Sequence, residues 1–159
     1  SKEYSRGPIK TDVLANIIYG PSYISMEYAL HQYGIIPERV YEITSVTTKR
    51  NKYYSTPLGN FSYHHLHLNK YVGGFILKDH GNNQTSPFAT KEKALVDFLY
   101  FKKEATGSLK KLSQVLFDEY RMDDNEIYEM DIELLKEYAE AFPIRNKVFH
   151  TLVTLIEKG

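Results

Sequence analysis

The chain opens with two stretches whose apolar positions follow a helical period. In "TDVLANIIYG" Thr11 is the expected N-cap and Gly20 the terminator. In "SMEYALHQYG" Ser25 is the expected cap, Glu27 suits the first turn, and Gly34 closes the helix. The "GPSY" between them reads as a turn.

After "IIPER" the period changes from helical to alternating. "VYEITSVTT" sets Val40, Glu42 and Thr44 against Tyr41, Ile43 and Ser45, which predicts a strand. "KRNK" fits a hairpin tip, "YYST" a returning strand, and "PLGN" a turn in which Pro57 presets φ and Gly59 is free to take φ > 0. "FSYHHLHL" and "KYVGGFIL" follow as third and fourth strands, so the spacing predicts an antiparallel meander. "KDHGNNQTS" reads as a polar, mobile loop.

Helical spacing then returns. "KEKALVDFLYFKK", capped by Thr90, gathers Ala94, Leu95, Phe98, Leu99 and Phe101 on one broad face. "SLKKLSQVLFDEY", capped by Ser108, "DIELLKEYAEAF", ended by Pro143, and "NKVFHTLVTLIEKG" predict three more helices. The order helices, strands, helices predicts an α+β fold: a small, mostly antiparallel sheet over about residues 40–78, packed by N-terminal and C-terminal helices.

Composition narrows the function. A chain of 159 residues buries roughly 70% of its extended surface, enough for one cored domain. No apolar run approaches the ~18 residues of a membrane span, and no secretory signal is present, so no membrane partner is expected. Cysteine is absent, which removes disulfides and thiolate chemistry and fits a cytoplasmic location. The polar start "SKEYSRGPIK", without an initiator Met, reads as cut from a longer protein.

Net charge is zero, which argues against a dedicated nucleic-acid binder. The charges are nevertheless segregated. Ile43 to Leu77 holds no acid, while Lys49, Arg50, Lys52 and Lys70 are basic. Asp118 to Glu140 holds ten of the twenty acids in 23 residues, against Arg121 and Lys136 alone. That segment is either a solvated helical face or a face for a basic partner.

Candidate chemistry is sparse. His65 and His67 are two apart, so on a strand they share a face, and a metal would need a third ligand from His31, His80 or an acid. No nucleophile elbow, phosphate loop or dinucleotide fingerprint is present. The expected sheet carries Glu42 as its one acid, which argues against a metal-dependent nuclease. No catalytic residue, metal or cofactor is therefore expected. Tyr53, Tyr54, Phe61, Tyr63 and Tyr71 interleave with Lys49, Arg50, Lys52 and Lys70, a pattern that can stack bases, though the same aromatics are ordinary strand residues.

Four segments together carry a resemblance. "PSYISMEYALHQYGIIPERV" (Pro21–Val40), "TSVTTKR" (Thr44–Arg50), "TPLGNFSYHHL" (Thr56–Leu66) and "FATKEKALVDFLY" (Phe88–Tyr100) resemble, in order, the body of AbiEi-type antitoxins. These are the antitoxin halves of type IV toxin–antitoxin, or abortive infection, systems. The likeness runs over about Leu14 to Tyr100, and the helices from Ser108 onward carry no recognised motif.

The resemblance implies a transcriptional regulator of phage defence with two parts. An N-terminal winged helix-turn-helix binds operator DNA, and a C-terminal domain counters an AbiEii-type nucleotidyltransferase toxin. Residues 1–10 are then a linker or the trailing edge of a missing winged domain, and 11–159 the antitoxin domain. Within it, 11–105 is the family-like core and 106–159 a helical C-terminal part. The expected partner-binding residues are the polar ones of the four blocks: Glu27, Glu38, Arg39, Thr47, Thr48, Lys49, Arg50, Lys91, Glu92 and Lys93, with Lys52 completing the hairpin tip.

Overall fold

The computed structural model describes residues 9–71 and 73–159. The expected linker at 1–10 lies mostly outside the described residues. Helix α1 spans Thr11–Ile18, strand β1 Ser22–Ile24 and helix α2 Met26–Gln32. Strands β2 (Ile43–Thr47), β3 (Lys52–Thr56) and β4 (Gly59–His65) follow, then a single helical turn α3 (Leu68–Tyr71) and strands β5 (Phe75–Asp79) and β6 (Thr85–Ala89). Helix α4 is Lys91–Phe101, and α5 (Leu109–Ser113) runs on as a π-helical stretch, Gln114–Glu119. Helices α6 (Asp124–Tyr128) and α7 (Ile132–Ala139), a 3₁₀ turn at Pro143–Arg145, and α8 (Asn146–Lys158) complete the chain.

The α+β class holds, with one sheet larger than expected. Among the described residues, six strands lie in the order β3-β4-β2-β1-β6-β5. Three neighbouring pairs are antiparallel, β1–β2, β3–β4 and β5–β6, while β2–β4 and β1–β6 are parallel.

The expected meander is therefore corrected. β4 does not lie outside β3 but sits between β3 and β2, parallel to β2. The link 48–51 has to step over one strand, about 9.6 Å at a spacing of ~4.8 Å, and four residues reach that distance. Burial explains the placement: Phe61 and Tyr63 of β4 are fully buried, so β4 takes the interior position. The Lys52–Thr56 strand, mostly exposed, takes the edge.

Two strands escape the pattern reading. β1 is three residues long, and β6 starts in the last two residues of the expected mobile loop and contains Pro87. β6 tolerates the proline because its pairing to β1 is one bridge, Ile24 to Phe88. The expected fourth strand begins as helix α3 and becomes strand only from Phe75.

Helix ends follow sequence chemistry with two departures: Thr11, the expected cap of α1, is instead its first helical residue behind Lys10, and the cap of α2 is exchanged. Gly34 takes φ +78 beyond α2, and the Thr90 and Ser108 hydroxyls accept from the amides of Lys93 and Lys111. Ser25 does not cap α2. Thr44, on the neighbouring strand β2, accepts from the Tyr28 amide at 3.1 Å and donates to the Ser25 carbonyl at 2.5 Å. A strand residue thus performs the capping expected of Ser25.

Helix α4 is the centre of the core. Every residue from Glu92 to Leu99 is buried, so the helix is enclosed all round rather than on one face. α2, α7 and α8 pack on it. Its C-terminal end is closed by Arg145, whose guanidinium donates to the carbonyls of Leu99, Lys102 and Ala105 at 2.7–2.9 Å through Nη2. Among the described residues, no helix is long and apolar enough to cross a membrane.

Candidate functional site

The first polar centre is buried at the junction of sheet and helix. Asp97 of α4 is fully enclosed. Its Oδ2 accepts from the Tyr23 and Ser25 hydroxyls, each at 2.8 Å. Lys93, one turn earlier, places Nζ 2.9 Å from Oδ1. That contact matches charge without the geometry of a directed hydrogen bond, so Oδ1 has no hydrogen-bond donor among the described residues. The Lys93 stem fills the space at Gly74, where an added Cβ would meet its Cδ and Cγ at 2.7 Å, and its Nζ lies 5.0 Å from the Phe142 ring centre. Burial, then the Asp97 charge, raises the Tyr23 pKa well above its ordinary value, so the phenol keeps its proton and donates.

Backbone geometry serves this centre. Met26 starts α2 at φ +60, a left-handed conformation that costs about 1–3 kcal/mol for a residue with a side chain. The sharp strand-to-helix turn leaves the Ser25 hydroxyl on Asp97 instead of on the helix end. The arrangement resembles a catalytic Ser–Lys or Tyr–Lys set in residue types only. Its members are sealed from solvent, so its chemistry is that of a structural lock.

The second feature is a small cleft of about 240 Å³ beside α2, lined by Glu27, Glu42, Thr44, His64, Phe98 and Lys102, among others. His64 packs against the Phe101 ring at 5.4 Å, and its Nε2 is 3.3 Å from Ser62 Oγ. Burial lowers the His64 pKa, and the charges of Glu27 and Glu42 oppose the shift. Lys102 is held by Tyr120, which raises the lysine's pKa against the effect of burial.

The third feature is the basic turn between β2 and β3. Lys49, Arg50 and Lys52 are exposed. The backbone beneath them is fixed from several sides. The Tyr19 hydroxyl donates to the Arg50 carbonyl at 3.0 Å, the His65 amide donates to Asn51 Oδ1 at 2.7 Å, and His65 Nδ1 lies 2.8 Å from the Lys49 carbonyl. Lys49 Nζ lies 4.9 Å from the Tyr19 ring centre and Lys52 Nζ 5.6 Å from that of Tyr54.

The expected partner-binding residues do not form one patch. Lys49, Arg50 and Lys52 share the turn after β2, with Thr48 half-buried beside them. Arg39 is exposed before the opposite end of β2, with its guanidinium 5.1 Å from the Tyr41 ring centre, and Glu38 pairs with Arg121 at 3.1 Å. Glu27 lies in the small cleft, and Lys91 is half-buried at the start of α4. Thr47 is buried and donates to the Pro21 carbonyl.

Glu92 and Lys93 are corrected. They are 4% and 1% exposed and cannot be surface contacts. Glu92 Oε2 instead accepts from the Asp131 amide at 3.0 Å, tying α4 to the start of α7, and Lys93 belongs to the buried lock. The signal is present in the sequence: Lys93 and Asp97 stand at i, i+4, and Asp97 is the one charge in the apolar run Ala94–Phe101.

The histidines do not assemble. β4 ends at His65, so His67 lies beyond the strand and contacts Asn69 Oδ1 at 3.0 Å. Among the described residues, no group of three His, Asp or Glu side chains could hold a metal ion. Part of the acidity of 118–140 is capping: Asp123 and Asp131 accept from the amides of Glu126 and Leu134. No protein-family model matches this chain, and no curated protein matches it.

Proposed function

We propose that this chain is a non-enzymatic antitoxin domain of the AbiEi type. It counters an AbiEii-type nucleotidyltransferase toxin by contact or by competing for the toxin's RNA or nucleotide target. On this reading such a domain works with a winged helix-turn-helix that binds operator DNA in the cytoplasm. The observation that carries this reading is the resemblance of four sequence blocks, in order, between Pro21 and Tyr100. The pinned turn carrying Lys49, Arg50 and Lys52 supports a docking role, because a rigid surface loses little entropy on binding.

A nucleic-acid-binding module is the second reading. Tyr53 favours it, being 54% exposed next to Lys52. Phe61 and Tyr63 are buried and Tyr54 and Tyr71 half-buried, which leaves few rings free to stack successive bases. Retention of RNA or DNA across a salt series separates the two. An antitoxin domain shows weak retention throughout. Tight binding that falls ~10³-fold or more between 50 and 200 mM salt favours the second reading.

A further inference from the structure

The outer edge of the sheet has the properties of a strand-accepting surface. β3 is one end of the sheet, and its sole strand partner among the described residues is β4. The two pair in unbroken register from Lys52–Tyr63 to Thr56–Gly59, without a bulge. Thr56 and Gly59 close a two-residue turn, which makes theirs a hydrogen-bonded pair, and the pairs then alternate along the ladder. Lys52, Tyr54 and Thr56 therefore turn their backbone groups inward to β4. Tyr53 and Ser55 turn their N–H and C=O groups outward, and both residues are exposed.

The surroundings define what could pair there. No acid occurs between Ile43 and Leu77, Glu42 shares a recess with Lys52 and Tyr53, and Lys49, Arg50 and Lys52 stand at the start of the edge. Lysine on an edge strand ordinarily guards it against pairing with other chains. Here the guard is selective: a second copy of this edge paired in parallel brings the same cations side by side and is repelled, whereas a strand carrying carboxylates is attracted. The turn is already fixed by Tyr19, Asn51 and His65, so it need not be ordered on binding.

We propose that β3 takes up an extended, acidic segment of a partner protein as an added strand. Its backbone bonds to the outward groups of Tyr53 and Ser55, and its carboxylates meet Lys52 and Lys49. The inference does not depend on the antitoxin reading and stands or falls separately.

Two short blocked peptides test it on the whole chain. One alternates glutamate with valine and threonine, and the other has lysine in place of each glutamate. Amide exchange of Tyr53 and Ser55, followed by NMR, is expected to slow with the glutamate peptide and not with the lysine peptide. Ser55→Pro removes an outward donor and leaves the β4 ladder whole, and Lys52→Glu reverses the charge. Each is expected to weaken binding at least ~10-fold. Unchanged exchange at Tyr53 and Ser55, equal protection by the lysine peptide, or full affinity in folded Lys52→Glu would overturn the proposal. The Lys52 variant and the peptide pair decide the question even where Ser55→Pro fails to fold.

Discussion

Lys93 and Asp97 form an ion pair at 2.9 Å with both side chains at 2% exposure or less. One turn of α4 thus carries two opposite charges inside the core. Tyr23 and Ser25 complete the shell around Asp97 from the strand-to-helix junction. Losing either charge leaves the other buried and uncompensated, which costs about 3–5 kcal/mol.

A double-mutant cycle measures this coupling. Lys93→Met and Asp97→Asn should each destabilise the fold strongly in urea unfolding. The Asp97→Asn change keeps an acceptor for Tyr23 and Ser25 but strands the lysine. The double variant should lose less than the sum, with a coupling of about 0.5–3 kcal/mol. Additive losses would mean that the pair does not act as a unit.

Thr44 and Ser25 exchange the roles that sequence assigns them. Thr44→Val removes the acceptor for the Tyr28 amide and the donor to the Ser25 carbonyl. A loss of about 1–2 kcal/mol is expected, as for a missing helix cap. Ser25→Ala should leave the protection of the Tyr28 amide against hydrogen exchange unchanged. Faster exchange at Tyr28 in Ser25→Ala, with none in Thr44→Val, would reverse the assignment.

This exchange illustrates what is legible in the sequence. Gly34, Thr90 and Ser108 mark helix ends through local backbone chemistry, so they can be read. The β-branched run around Ile43–Thr47 and the turn signals flanking Lys52–Thr56 mark strands for the same reason, although β2 is buried on both faces rather than on alternate residues. Strand order cannot be read, because β4 enters beside β2 through the burial of Phe61 and Tyr63, a tertiary effect. β1 is too short to show a period, and Pro87 disguises β6. At the candidate site, Lys49, Arg50 and Lys52 are legible as a turn. Glu92 and Lys93 mislead, because a charge in a helix usually faces water and here each finds a buried partner.

His64 gives the fold a pH dependence with a definite sign. Burial lowers its pKa in the folded chain, and Glu27 and Glu42 only partly offset this. The unfolded chain therefore takes up the proton first as pH falls below the ordinary histidine value of about 6.5. The His64 contribution is whole above that pH and is lost as pH falls through the depressed folded value. His64→Gln should flatten the fall in thermal midpoint between about pH 7 and pH 5. Parallel slopes in the two proteins would remove His64 as the source.

Bacterial growth tests the central claim most directly. An AbiEii-type toxin is induced in a host with and without this 159-residue chain, and colony formation is counted. The antitoxin reading predicts restored growth with the chain, reduced again when Lys49, Arg50 and Lys52 are all changed to Glu in a protein that remains folded. Continued growth arrest in the presence of soluble, folded chain would contradict it.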